Sequence, residues 1–261
     1  MIEILTAWLD GAFVEPSRAR LGAFDHAITV GDGLFEATKI VDGTPIALTR
    51  HLDRLERSAA RSGVAVPMAR SDLADACRAV SERTAGPAKL RLTVTSGAAA
   101  LSSARGTGTG SVLIAAASLP PRAPAAAVTV VEWPRNERGA LAGVKSTSYL
   151  EYVVALAAAN EQGSDEAIFA NTVGNLCAGT GSNVFVVVDG RLITPPLSAG
   201  PLAGVTGALV LEVTDAVEED LASEAFRAAD VAFLTACSRD VQPIDRFDGR
   251  PLESVHGPTT A

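Results

Sequence analysis

Apolar residues alternate with polar ones, or form short continuous runs, in several segments of the first half of the chain. Two of these segments are interrupted by Asp10-Gly11 and Asp42-Gly43, and Asp-Gly is a preferred turn between antiparallel strands. The pattern therefore predicts two β-hairpins. Alternation over 88–97 and an apolar run over 111–117 predict two further strands.

Between the hairpins and these strands, apolar residues recur every three or four positions. This spacing, with Thr49 available as N-cap and Gly63 as a stop, predicts a helix in TRHLDRLERSAARSG. A second helix is predicted over 71–84. The first half is therefore expected to be mixed α+β.

A Pro/Ala-rich stretch, SLPPRAPAAA, divides the chain and predicts a linker over 118–127 between domains over 1–117 and 128–261. The second half has many short strand patterns with glycine turns and few helices, which predicts a barrel-like domain. Its predicted strands cover 127–133, 166–170, 183–194, 230–236 and 241–247, with helices after Lys145 and over 205–214.

Composition narrows the class of protein. The chain has 261 residues, of which 48% are hydrophobic and 20% charged, so an ordered globular protein is expected. A net charge of −8 without a basic stripe argues against nucleic-acid binding, and no apolar run reaches membrane-spanning length. The first residues lack the basic start of a signal peptide, and three scattered cysteines predict thiols in a reducing cytoplasm. Three separated histidines make a metal site unexpected.

Lysine is rare here, because only three of the 22 basic residues are lysines. One of them, Lys145, precedes a helical pattern in GVKSTSYLEYVVA. An amine loses a proton and condenses with a carbonyl, whereas a guanidinium stays charged. Lys145 is therefore a candidate Schiff-base residue, and a solvated lysine at a helix start is the alternative.

Four further motifs each have a functional and a purely structural interpretation. GDG at 31–33 is typical of a turn. Arg54, inside an amphipathic helix, is either an anion clamp or a surface arginine. The Gly-rich CAGTGSNVF suits close backbone approach to a flat ligand or a simple connection. Val205 and Thr206 begin a helix whose N-terminus suits phosphate, although Thr206 is equally a candidate N-cap.

The order of these motifs is more specific than any one of them. From Gly31 to Pro243, the succession GDGLFEA, HLDRL, KSTSYLE, GTGSNVF, AGVTGALVLE and DVQPI closely resembles the class IV aminotransferases. These fold-type IV enzymes use pyridoxal 5'-phosphate (PLP) and include branched-chain and D-amino-acid aminotransferases and 4-amino-4-deoxychorismate lyases. The resemblance implies a smaller N-terminal α/β domain, a larger barrel-like C-terminal cofactor domain and a homodimer.

The resemblance also implies roles for residues at matching positions. Lys145 corresponds to the lysine that holds PLP as an aldimine and then moves the substrate proton. Arg54 corresponds to a phosphate-binding arginine, and Val205 and Thr206 to a phosphate-binding helix start. Tyr149 matches a tyrosine that some members place near the cofactor.

Substrate contacts are implied for three residues. Arg105, in SSARGTG, resembles a loop arginine that approaches the substrate carboxylate in relatives. Arg91 is a second candidate, although its place in a strand pattern is also consistent with a side chain that points outward. Phe35, in GDGLFEA, is the third.

Three departures from the family pattern qualify these expectations. Ala178 stands where the family has a glutamate that pairs with the pyridine nitrogen, and Gly207 stands where an arginine is usual. Because loss of one carboxylate and one guanidinium preserves net charge, we hypothesise that these two losses are coupled. Cys237 replaces a phosphate-binding Thr or Ser, and Ser238 is a candidate substitute.

Three functions follow as alternatives. The motifs KSTSYLE and GTGSNVF favour a PLP-dependent aminotransferase acting on an amino acid and a 2-oxo acid, whereas the approach NERGALAGVK resembles the lyases that release pyruvate and 4-aminobenzoate. The third is an impaired or non-catalytic homologue, because Ala178 removes the family glutamate.

Overall fold

Asp-Gly turns close the hairpins that the apolar pattern predicts. Asp10 and Gly11 have φ values of 47° and 102°, and Asp42 and Gly43 have 48° and 72°, the left-handed pair that a two-residue hairpin turn requires. In the computed structural model, which describes residues 3–252, the chain divides into two units. The first takes in the chain up to Pro121 and Val144–Tyr149, and the second Arg122–Gly143 and the chain from Leu150 onward.

The first unit is a six-stranded antiparallel sheet with helices on one face. Its sheet order is β2-β1-β6-β5-β3-β4. Side chains of the two long helices, such as Leu55 and Val80, pack against sheet residues such as Leu34, Leu90 and Ile114. Its elements are β1 (Ile4–Leu9), β2 (Ala12–Val14), α1 (His26–Thr29), β3 (Gly33–Val41), β4 (Thr44–Pro45), α2 (Leu48–Ser62), α3 (Arg70–Glu82), β5 (Ala88–Thr95) and β6 (Val112–Ser118).

The second unit is built on a nine-stranded mixed sheet. The strand order is β12-β11-β10-β13-β14-β7-β8-β9, with β15 paired to β14. A core that includes Val128, Ile168, Val184, Leu234 and Ile244 fills it. Its elements are β7 (Ala126–Val130), α4 (Leu150–Glu161), β8 (Glu166–Ala170), β9 (Leu176–Gly179), β10 (Asn183–Val188), β11 (Arg191–Thr194), α5 (Val205–Val213), β12 (Val217–Glu218), β13 (Val231–Ala236), β14 (Asp240–Phe247) and β15 (Arg250–Pro251).

The mixed α+β class expected from sequence is confirmed, with differences of detail. Helix α2 begins after Ala47, whose φ is 51°, so Thr49 lies inside the helix and its prediction as N-cap is wrong. Gly63 ends that helix as predicted, with φ of 72°. The boundary between the units lies inside the predicted linker, but 144–149 belongs with the first unit. Within residues 3–252, no helix has the length and apolar character needed to cross a membrane.

Candidate active site

Lys145 lies in an extended segment that is hydrogen-bonded to the start of β3. Phe35 N–H donates to the Lys145 carbonyl at 3.0 Å, and Thr147 N–H donates to the Gly33 carbonyl at 2.8 Å. On its other side, Lys145 N–H donates to Ser58 Oγ of α2 at 3.4 Å. The backbone of this half-buried lysine is thus held between a strand and a helix.

Phe35 is the centre of an aromatic and cationic group. Lys145 Nζ lies 4.5 Å from the centre of its ring, and Arg91 Cζ lies 3.7 Å from it. Tyr149 meets the same ring edge-on, with centroids 5.3 Å apart. The negative face of the ring attracts both cations, and desolvation lowers the pKa of Arg91 below its ordinary value. Four of the residues predicted from sequence therefore lie together.

Arg54 is buried in an ion pair with Glu36. Its Nε and Nη2 donate to the two carboxylate oxygens at 2.9 and 2.7 Å, and His51 Nδ1 lies 2.8 Å from the same carboxylate. Burial opposes ionisation of Glu36, but the bonds from Arg54 and His51 outweigh it and hold the Glu36 pKa below its ordinary value. A phosphate bound by Arg54 would therefore share the guanidinium with Glu36. Glu36 and His51 were not predicted as site residues, although a glutamate inside an apolar strand signals a buried pair.

Arg105 is paired with Asp32 of the GDG turn. Arg105 Nε and Nη2 donate to the carboxylate at 2.8 and 2.7 Å. These bonds, with smaller contributions from His26 and Ser96, hold the Asp32 pKa well below its usual range despite partial burial. The GDG motif, interpreted from sequence as a turn, therefore also supplies the carboxylate that pairs with Arg105, a predicted substrate contact.

The first turn of α5 carries Val205 and Thr206. Gly204 is its N-cap and no side chain caps the helix, so the alternative of Thr206 as N-cap is wrong. A Cβ at Gly207 would lie 3.4 Å from Thr235 Oγ1, a buried hydroxyl with no hydrogen-bond partner among the described residues. Uncapped amides and an unsatisfied hydroxyl beside one helix start fit an anionic group such as phosphate.

Ala178 is buried in an apolar cluster and is the cross-strand partner of Phe169. The nearest carboxylate described on these strands is that of Glu166, which accepts from Thr180 N–H at 2.9 Å and pairs with Arg239 Nη2 at 3.0 Å. The pair of Glu166 and Arg239 was not predicted either, because its two members lie far apart along the chain. The Glu166 carboxylate therefore lies beside the turn that follows β9, whereas position 178 itself has no charged group.

The surroundings of Ala178 and Gly207 differ. Ala178 packs with the cluster around Phe169, whereas a Cβ at Gly207 would meet Asn183 Oδ1 at 3.3 Å and Thr235 Oγ1 at 3.4 Å. These contacts give the coupling hypothesis no support, and it stays a hypothesis.

Cys237 and Ser238 form the turn between β13 and β14, and both are half-buried. The next residue, Arg239, donates from Nη1 to Gln242 Oε1 at 2.7 Å. Desolvation, followed by the charge of Arg239, lowers the pKa of Arg122 below its ordinary value, so two cations border this turn. The Ser238 hydroxyl is a stronger hydrogen-bond donor than the Cys237 thiol.

The other cysteines take no part in this arrangement. Burial raises the pKa of the Cys77 and Cys177 thiols to about 12, which keeps them protonated and unreactive. Among residues 3–252, no three His, Cys, Asp or Glu side chains gather as a metal ion would need.

Comparison with known proteins shows which family this chain belongs to. Residues 33–247 match the sequence profile described as amino-transferase class IV. The chain belongs to this family. A Methanocaldococcus jannaschii protein, provisionally named as a branched-chain-amino-acid aminotransferase, is 31% identical to this class IV chain. The alignment covers 95% of this chain and 89% of the M. jannaschii protein. A D-alanine aminotransferase of Bacillus licheniformis is 27% identical, over 96% and 92% of the two chains.

Solved structures share the class IV fold. A branched-chain aminotransferase of Thermoproteus uzoniensis, solved with norvaline, has a TM-score of 0.91 at 28% identity and covers 99% of this chain and 91% of its own. The T.th. branched-chain amino acid aminotransferase, solved with pyridoxamine 5'-phosphate, has a TM-score of 0.90 at 24% identity. The match covers 100% of this chain and 91% of the other. A Legionella pneumophila protein, provisionally titled a 4-amino-4-deoxychorismate lyase, has a TM-score of 0.86 at 23% identity. The match covers 93% of this chain and 92% of the other. The last two show a common fold alone.

Proposed function

We propose that this class IV chain is a PLP-dependent aminotransferase that moves an amino group between an amino acid and a 2-oxo acid. The observation that carries the proposal is the placement of Lys145. Its backbone is fixed by Phe35 and Ser58, and its amine lies over the Phe35 ring. Such fixation is what a residue needs if it is to deliver a proton repeatedly to one atom.

Each of the two units has residues whose chemistry suits PLP. The uncapped start of α5, with Val205 and Thr206, and the buried Thr235 hydroxyl provide donors suited to its phosphate. Lys145 would hold the aldehyde end, and Arg54, paired with Glu36, is the proposed second phosphate contact. Bound PLP would supply an electron-withdrawing ring that stabilises negative charge at the substrate Cα.

Within this scheme, Lys145 takes the proton from the substrate Cα and returns a proton during transfer of the amino group. Phe35 would exclude water from one side of that amine, since its ring lies beside Nζ, and Tyr149 packs edge-on against Phe35. Arg91 and Arg105 are the proposed contacts for substrate carboxylates. Cys237 and Ser238 are proposed to contact the phosphate, and Ala178 to face the ring without a charge.

Absorption spectroscopy tests the proposal directly. The protein reconstituted with PLP should have a visible absorption band that borohydride abolishes, and the reduced cofactor should be found on the peptide that contains Lys145. Lys145→Ala should lose the band, the label and activity. Lys89→Ala, which removes a half-buried lysine from β5, is the matched control and should keep all three. A wild-type protein without the band contradicts the proposal.

The lyase is the second candidate, supported by the sequence NERGALAGVK before the site. Incubation of the PLP-loaded protein with aminodeoxychorismate, and separately with amino acids and 2-oxoglutarate, distinguishes the two. We expect amino transfer without release of pyruvate from aminodeoxychorismate. Rapid pyruvate release with no amino transfer would identify a lyase instead.

A further inference from the structure

The carboxylate of Asp32 joins three segments of the first unit. Besides the two bonds from Arg105, it accepts from Ser96 Oγ at 2.7 Å and lies 3.0 Å from His26 Nδ1. The Asp32 side chain is only 14% exposed. One anion therefore connects α1, the end of β5 and the loop over 98–111.

His26 connects the same loop to α1 a second time. Its Nε2 lies 2.8 Å from the Ser102 carbonyl oxygen, while its Nδ1 faces Asp32. Both neighbours are acceptors, so only the doubly protonated ring donates to both. Asp32 and Arg105 are the charged groups that face the ring, because the carboxylate of the adjacent Asp25 is bonded to Thr95 and to the Ala27 amide.

Arg105 is held along one edge of its guanidinium. Its bonds to Asp32 use Nε and Nη2, whereas Nη1 lies where a Cβ on Gly63 would approach to 2.9 Å. The side chain is 40% exposed. A guanidinium fixed in this way on its inner edge is oriented in advance for a second carboxylate.

We propose that Asp32 is a positioning residue for Arg105, and that protonated His26 secures the loop on which Arg105 presents its guanidinium to the carboxylate of an amino-acid substrate. The substrate part of this inference rests on the proposed function. The ordering of the loop does not, since it follows from the contacts of Asp32 and His26 alone.

The proposal predicts how the order of the loop over 98–111 depends on pH. The Ser102 carbonyl, and then Asp32, raise the pKa of His26 above its ordinary value, against the opposing effects of burial and Arg105. Below the ordinary histidine pKa both bonds are present. As pH rises through the raised pKa, one ring nitrogen loses its proton and its lone pair faces an acceptor. The loop should therefore loosen as pH rises.

Hydrogen exchange and kinetics test Asp32 together. In Asp32→Asn, amide protection over 98–111 should fall and KM should rise roughly tenfold with little change in kcat, because one charged bond is worth about that factor. Arg105→Lys, which keeps the charge but loses the paired geometry, should behave alike. Asp75→Asn, which removes an exposed partner of Arg78, is the control and should leave both measurements unchanged. Unchanged protection and KM in a folded Asp32→Asn would overturn the proposal.

His26→Gln tests the effect of pH. Wild-type protection over 98–111, corrected for intrinsic exchange, should fall as pH rises through the His26 pKa, and the variant should have low protection at every pH. Identical pH profiles would overturn the role of His26. If wild type shows the pH-dependent protection but no amino transfer, the proposed function fails while the Asp32 and His26 network is supported.

Discussion

At the scale of the residue, position 178 is where the proposed chemistry departs most from the family. If Ala178 faces the ring as proposed, the pyridine nitrogen lacks the carboxylate that favours its protonation, so the bound ring should withdraw electrons less strongly. Replacing Ala178 alone would put an unpaired charge into the apolar cluster around Phe169. Under the coupling hypothesis, Gly207→Arg supplies the cation that pairs with this charge, so the double substitution tests that hypothesis.

We therefore expect Ala178→Glu combined with Gly207→Arg to raise the rate of the half-reaction between PLP-loaded protein and an amino donor. A gain of tenfold would correspond to about 1.4 kcal/mol of transition-state stabilisation. Stopped-flow absorbance measures the rate, and Gly207→Arg alone controls for changed packing against Asn183 and Thr235. An unchanged or lower rate in the double variant would mean that ring protonation does not limit the reaction.

Single residues also show how far sequence predicts a site. Lys145 could be proposed from sequence because an amine next to a family motif carries its chemistry locally, and its role stays a prediction. The arginines that pair with Glu36, Asp32 and Glu166 could not be predicted, because they are 18 to 73 positions away along the chain. Pairing over such distances is decided by the fold, so a sequence shows the charge but not what holds it.

At the scale of the element, short-range chemistry predicted the hairpins and most helices. The turn at Asp10-Gly11 and the stop at Gly63 depend on backbone conformations that the residues themselves favour. β9 was missed because LCAG is short and its partner β8 lies across a loop. The start of α2 directly after Ala47 was missed because nothing local favours a left-handed alanine at that position.

Helix α5 gives the prediction at this scale. A Cβ at Gly204 would overlap Asn183 Oδ1, so this N-cap position admits no side chain while Asn183 stays in place. Gly204→Ala should displace the helix start and weaken PLP binding about tenfold or more, since one helix terminus with aligned amides is lost. Spectroscopic titration of the cofactor-free protein with PLP measures this. Gly22→Ala, at a glycine with open space around its Cα, should bind PLP as wild type does.

Wild-type PLP affinity in Gly204→Ala would show that the phosphate does not use this helix start. The proposal for Val205 and Thr206 would then be wrong, whereas that for Lys145 would stand. The two halves of the proposed cofactor site are therefore tested by separate experiments.

At the scale of the whole molecule, helix α4 has several exposed apolar side chains. Ala155 and Ala159 are fully buried, yet Leu150, Val153 and Val154 on another face are 74%, 58% and 46% exposed. Their spacing of three and four residues makes a continuous stripe. An apolar stripe on a surface helix is typical of an interface, and a symmetric dimer is the commonest assembly of soluble proteins.

We expect a homodimer in solution that uses this stripe, and Val153→Glu should weaken it by placing a charge in an apolar contact. Light scattering coupled to size exclusion, at several protein concentrations, should give twice the 26.7 kDa chain mass for wild type and a shift toward the monomer for the variant. Val213→Glu, at a valine that is 79% exposed, controls for added charge and should stay dimeric. If Val153→Glu remains fully dimeric, the stripe lies outside the interface, because a buried glutamate at the contact would cost several kcal/mol. If wild type is monomeric, the stripe requires a different explanation and the dimer inferred from the family does not hold for this chain.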